Sequence, residues 1–271
     1  MFELAVFTLT LRPVHSAGLP AWLGRSAQAW FLDALRTISP DLSAAVHDGS
    51  RPRPFTLSSL LPAAHGGRIA LAPNRTNTLR ITTLHPDLTQ LTHNALIPRW
   101  LEDGITLHSQ ALRVESVQTH ALQYADLLAA PAGRRQHLTF SSPTVFSRTG
   151  SAPVPLPLPE YVFGSLLDRW QAFSSVALDP DLRAFVQQHV GIESFAGRTE
   201  TISLERAARG SHTGFMGRVT FIAHHAQGPC FAHWHALGAF AAFSGVGKHT
   251  TIGLGQVTSV QPQPASPQGA V

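Results

Sequence analysis

Eleven residues near the C-terminus, Gly245-Val246-Gly247-Lys248-His249-Thr250-Thr251-Ile252-Gly253-Leu254-Gly255, constrain this chain more than any other stretch. Two Gly-x-Gly doublets flank five residues that include the only lysine, a histidine and two threonines. Glycine tolerates φ > 0 and lets another backbone come close, so four of them here define a loop shaped to hold something. Successive N–H groups in such a turn can form an anion-binding concavity, and Lys248 adds positive charge beside it. A phosphate is the natural occupant. Neither the P-loop pattern nor the dinucleotide pattern fits. The loop follows a helix-like stretch and runs into a short strand, Leu254–Val260, so a plain tight turn is the alternative reading of the loop alone.

The chain before the loop reads as two similar successions. Phe2–Leu11 is strand-like and ends at Arg12-Pro13. Apolar residues at helical spacing fill Ala21–Ile38, and Val46–Pro54 reads as a loop before the strand Phe55–Ser58. Arg68–Ala72 and Asn77–Leu84 look like two strands joined by Pro73-Asn74-Arg75. A helix over Asp87–Trp100 and a strand within Thr106–Gln118 complete a β-α-β-β-α-β order, the ferredoxin-like pattern. Ala121–Arg135 reads as a connector with a short helix at Tyr124–Ala129.

The order then repeats. His137–Phe140 is a strand, Ser142-Pro143-Thr144 a turn or cap, and Ser151–Pro159, with four prolines, an extended loop. Tyr161–Phe173 is helical, Gly191–Arg206 and Met216–His224 are paired strands, and Cys230–Phe243 is a helix leading into the glycine loop. The expected fold is therefore α+β, two tandem ferredoxin-like (RRM-like) domains at 1–122 and 136–260. No residue-level repeat links them.

Composition agrees with a folded chain of about two domains: 271 residues, 44% hydrophobic and 13% charged. The net charge of +4 suits a polyanion, and all but one of the 20 basic residues are arginine, the better planar phosphate partner. One cysteine, Cys230, excludes an internal disulfide framework and a cysteine-based zinc site. The N-terminus lacks the basic and small-residue features of a secretory leader, and no apolar run nears the roughly 18 residues that cross a bilayer. A cytoplasmic protein is expected.

Four chemistries compete. His47 lies with Asp48, Arg51 and Arg53, so a proton-transfer group sits beside charges able to stabilise a phosphorane; a surface histidine in a proline-rich turn is the bland alternative. His224, His225, His233 and His235 invite a metal, but on a strand and a helix these pairs point to different sides and no HExxH accompanies them. No Gly-x-Ser-x-Gly elbow marks a serine nucleophile. Arg51, Arg53, Arg148, Arg198, Arg206, Arg209, Arg218 and Lys248 supply a dispersed basic surface on a fold that commonly carries single-stranded RNA.

The pattern G-Φ-G-x5-G-Φ-G at Gly245–Gly255 resembles the C-terminal signature of the RAMP superfamily of CRISPR proteins. Ala45-Val46-His47-Asp48 with Arg53–Leu60, then Leu138–Phe146, then Gly214–Val219, resemble in matching order segments of its pre-crRNA-processing endoribonuclease family. The resemblance implies a protein that binds CRISPR repeat RNA and cuts it once per repeat without a metal or other cofactor. The ribose 2′-OH would attack, leaving a 2′,3′-cyclic phosphate and a 5′-OH. It implies His47 as catalytic general base or acid, with Arg51 and Arg53 stabilising charge where some members have a lysine. Some members also use a tyrosine of the first helix; here Trp30 and Phe31 stand there instead. RNA contacts are expected at Gly245, Gly247, Lys248, His249, Gly253, Gly255, Arg148 and Arg218. A non-cleaving crRNA-binding subunit of an effector complex is the alternative, and homodimers or other CRISPR-associated partners are compatible with either.

Overall fold

The first strand, β1 (Leu4–Pro13), buries Ala5, Phe7, Leu9 and Leu11 completely. Period-two alternation sends these four to one face, and that face collects the helices that follow. The computed structural model describes residues 2–47, 52–62, 67–146, 153–203 and 211–260. After β2 (Ala17–Pro20) comes α1 (Gly24–Ile38), whose buried Ala27, Phe31 and Leu35 recur every four residues. α2 (Pro40–His47) opens on a proline, which is pre-set for a first helical turn, with Asp41 beside it.

Three strands come next: β3 (Phe55–Leu57), β4 (Arg68–Leu71) and β5 (Asn77–Thr83). α3 (Pro86–Leu91), a π-helical turn (Thr92–Leu96) and α4 (Ile97–Asp103) form one interrupted helix. β6 (Ile105–Leu107) and β7 (Gln110–Leu122) close this half, and α5 (Tyr124–Ala129) leads out of it. The second half contains β8 (Arg135–Thr144), α6 (Pro159–Phe173), α7 (Leu182–His189), β9 (Val190–Ser203), β10 (Ser211–Ala223), α8 (Gly228–Ser244) and β11 (Val257–Val260).

The first sheet has the order β3-β5-β1-β7-β6 and the second β11-β8-β10-β9, all neighbours antiparallel. Setting aside the short β6, both sheets order their strands fourth-first-third-second. That is the ferredoxin-like arrangement, present twice, as the succession of strands and helices implied.

Three expectations are corrected. Val46 and His47 belong to a helix, α2, rather than a loop. β4 and β5 are strands but not partners: β4 pairs with β2, while β5 lies between β1 and β3. Ser142–Thr144 continues β8 instead of turning. There β11 pairs with β8 only as far as Phe140, so Pro143 has no ladder bond to donate, and its carbonyl accepts the N–H of Gly255 at 3.1 Å. α7 had no counterpart in the sequence reading.

Each half has its own core. Phe7, Phe31, Phe55, Ile81 and Trp100 anchor the first, and Phe140, Phe163, Trp170, Phe221, Trp234 and Phe240 the second. Burial of each such side chain contributes roughly 1.5–3 kcal/mol. Leu4, Leu84 and Tyr124 cross over and pack in the second core, and the Tyr124 hydroxyl donates to Leu84 O at 3.0 Å. The first sheet's face away from its helices is covered at one point by α8, where His120 stacks on Phe243 with ring centroids 5.6 Å apart.

Candidate functional site

The glycine loop leaves α8 at Gly245 and returns to β8 at Gln256. All four of its glycines take positive φ. Gly255 shows why the residue type matters: at φ +63° a Cβ would stand 1.9 Å from Val246 O. The loop is not the open anion nest expected of it. The N–H groups of Gly245, Val246, Gly247, Lys248, Ile252, Leu254 and Gly255 all donate to oxygens of the protein itself. Among them, Gly247 N–H reaches Ser165 Oγ at 2.9 Å and Lys248 N–H reaches Val145 O at 2.9 Å. The glycines shape the loop, and its side chains are left to meet a ligand.

Two arginines absent from the sequence reading hold that shape. Arg169 of α6 donates to Ser244 O at 2.7 Å, Gly245 O at 2.9 Å and Gly247 O at 2.6 Å. Arg80 of β5, from the other half, donates to Ala242 O and to Gln256 Oε1 at 3.0 Å. Carbonyls left over at a helix C-terminus carry partial negative charge and need donors, and these two guanidiniums supply them. Desolvation lowers both arginines to about 10. They remain charged at neutral pH. Gln256 Nε2 in turn donates to Leu57 O at 3.2 Å, so the loop's exit is tied to β3.

The first half also grips the loop's second side. Trp22 Nε1 donates to Ile252 O at 2.8 Å, and Gln28 Nε2 to Thr251 Oγ1 at 2.7 Å. Thr250–Ile252 form one 3-10 turn between them, entered through His249 in the left-handed region at φ 61°. A histidine there is uncommon, and such conformations gather where a side chain has to be aimed.

His249 is aimed into a cationic corner. Its ring lies 4.6 Å from that of His212 at the start of β10. Burial lowers its pKa first, and the charges of His212, Lys248 and Arg25 lower it further. Among the described residues no carboxylate enters that balance. Lys248 and Arg25 carry fixed positive charge there, which favours an anion beside them.

Lys248 borders a second space of different character. A cleft of about 500 Å³ runs between α6 and the loop, and its walls include Pro52, Phe146, Tyr161, Arg183 and Lys248. Glu160 and Asp168 also line it, and Asp168 accepts a hydrogen bond from Arg183 at 2.6 Å. This cleft is amphoteric and partly aromatic, unlike the cationic corner beside it.

The expected site residues are distributed as follows. Gly245, Gly247, Lys248, His249, Gly253 and Gly255 form the loop just described. Arg53 is half-buried ahead of β3. Arg218 is exposed on β10 next to buried Val219, hence on the sheet face away from α6 and α8, and it does not line the cleft. Arg198, on β9, pairs with Glu200 at 3.1 Å. Of His47 the backbone at the end of α2 is described, while Asp48, Arg51, Arg148, Arg206 and Arg209 lie outside the described residues. Of the histidines weighed as a metal set, His233 Nδ1 accepts the Asp179 N–H at 2.9 Å and His235 is buried. Sequence spacing held no signal for Arg80, Arg169, His212 or Trp22, because their partners are far away in the chain, 230 residues for Trp22 and Ile252.

Comparison with known proteins follows this geometry. The family model for CRISPR-associated endoribonuclease Cas6 matches residues 138–257, from β8 through the glycine loop to β11. A Cas6 product complex superposes with TM-score 0.80 at 27% identity, covering 96% of this chain and 100% of that one. Thermus thermophilus Cas6 gives 0.72 at 27%, covering 96% and 99%. A Cas6 substrate mimic complex gives 0.71 at 26%, covering 95% and 99%. Curated protein sequences gave no match. No helix among the described residues is long and apolar enough to cross a membrane. With the signature loop, two ferredoxin-like sheets and similarity along 95% or more of its length, the chain is similar throughout to CRISPR-associated Cas6 endoribonucleases.

Proposed function

We propose that the protein binds CRISPR repeat RNA and cuts pre-crRNA once per repeat, in the cytoplasm, by a metal-independent transesterification. The 2′-OH upstream of the scissile phosphate gives up its proton as its oxygen bonds to phosphorus. The P–O5′ bond breaks, and the departing oxygen takes a proton. The products are a 2′,3′-cyclic phosphate and a 5′-OH, with no water consumed. His47 moves one of these protons, and Arg51 and Arg53 offset the charge that builds on the phosphorane. Lys248 and His249 hold phosphates beside it.

The observation that carries this reading is the course of the chain around the cleft. α2 ends at His47, and Pro52 stands on the wall that Lys248 also lines. Pro52 and Lys248 share that wall although about 200 residues separate them in sequence, and this supports a site to which His47, shortly before Pro52, contributes. That is the combination in-line phosphoryl chemistry needs. The similarity to Cas6 product and substrate mimic complexes supports RNA as the ligand.

Cleavage of a cognate repeat RNA in EDTA, by wild type and by His47→Ala, tests the proposal. Wild type should cut at one site and leave a cyclic phosphate, while the variant binds without cutting. Binding with no cleavage by wild type would instead indicate a crRNA-holding subunit. Activity that EDTA abolishes and a divalent ion restores would overturn the mechanism.

A further inference from the structure

The cleft between α6 and the glycine loop differs chemically from the cationic corner next to it, and that difference has a use. Glu160 and Asp168 share the cleft with Arg169, Arg183 and Lys248, so carboxylate acceptors stand there beside the cations. An aromatic surface is present as well. Tyr161, half-exposed in the first turn of α6, is stacked at 27° on the buried ring of Phe146, with centroids 5.9 Å apart. One ring therefore backs the other and fixes its plane, and both line a space of about 500 Å³, ample for a nucleotide.

From this geometry we infer that the cleft is a nucleobase pocket, in which Tyr161 stacks one unpaired base of the RNA next to the phosphate held by Lys248. The inference rests on the repeat-RNA reading above. Bases splayed out of a strand are bound in this way, by stacking on an aromatic ring and by hydrogen bonds to the exposed edge. Glu160, exposed beside Tyr161, offers only acceptors. Guanine presents two adjacent N–H donors on its pairing edge, so the pocket favours guanine. The neutral base, not the backbone, accounts for carboxylates in a site otherwise built for an anion.

The test uses a cognate repeat RNA that the protein cleaves, protected by a 2′-deoxy substitution at the attacking nucleotide. 2-Aminopurine is placed in turn at each unpaired position flanking the cleavage site. Stacking should quench one position on binding. Tyr161→Ala should remove that quench and weaken binding about tenfold, in keeping with the loss of one base stack, while Tyr161→Phe keeps both. Glu160→Gln, on an exposed turn, should leave folding unchanged and flatten the preference for guanine at the same position. If the RNA is bound and cut but no position is quenched, or Tyr161→Ala binds as wild type does, the inference is overturned and the RNA reading stands. If the protein neither binds nor cuts repeat RNA, the reading beneath it fails first.

Discussion

The carbonyl oxygen of Ile252 lies 1.7 Å from the point where Gly24 would carry a Cβ, and the indole of Trp22 donates to that same oxygen at 2.8 Å. The start of α1 and the turn of the glycine loop are therefore in direct backbone contact. Gly24→Ala should force the two apart and break the Trp22 bond. Cleavage is expected to fall at least tenfold, with a thermal midpoint several degrees lower, because overpacking of a tight contact typically destabilises by about 1–3 kcal/mol. Differential scanning calorimetry beside a cleavage time course reads both effects.

Removing Arg169 should loosen the loop from its other side. Arg169→Met removes the guanidinium donor from the carbonyls of Ser244, Gly245 and Gly247, of which only Gly245 O keeps another donor among the described residues, the Ser244 hydroxyl. A loss of about 2–4 kcal/mol in urea unfolding is expected. Arg169→Lys, which keeps charge but not the fork, should recover only part of it.

Lys248→Ala should act on binding rather than on the fold. The backbone of Lys248 is held through Val145 O whatever the side chain, so the unfolding midpoint should stay within error. Repeat-RNA affinity should drop, and the slope of log affinity against log salt should shrink by about 0.7, the signature of one phosphate contact to a single strand. An unchanged slope would show that Lys248 touches no phosphate.

Acid should weaken the fold through two histidines. His249 and His235 both titrate below the usual imidazole value, chiefly because burial disfavours the charged ring. In the unfolded chain each binds a proton more readily than in the folded one. Their contribution is thus fully present above pH 6.5 and is lost as pH falls through the lower folded values. Urea midpoints should decline between about pH 7.5 and pH 5.5, and His249→Gln should decline less over that interval. Bound RNA should narrow the loss, since a phosphate beside His249 favours its protonated form.

Much of the architecture was legible because periodicity is local. Alternation in Leu4–Leu11 and the four-residue spacing of Ala27, Phe31 and Leu35 are statements about neighbours in sequence, and two units followed from their order. α2 escaped notice because eight residues give too few turns to show a period, and Pro40 reads as a breaker when it is in fact the first helical residue. The unpaired relation of β4 and β5 was hidden for another reason: the turn at Pro73–Arg75 is real, with Arg75 N–H on Ala72 O, yet a turn does not choose strand partners. The glycine loop was recognisable from its spacing, while the destination of its N–H groups was not. Whether a nest is open or filled depends on Ser165, Val145 and Pro143, which arrive from elsewhere in the chain.

The shape of that loop also sets an order of events during synthesis. Arg80, Trp22 and Gln28 are made early, yet the carbonyls and hydroxyl they hold follow 162 to 230 residues later in the chain. At roughly 5–20 residues per second, the first half waits on the order of ten seconds for Ile252 and its neighbours. Until those residues arrive, Trp22, Gln28 and Arg80 have no loop to hold, and the support that the first unit gives it stands unused.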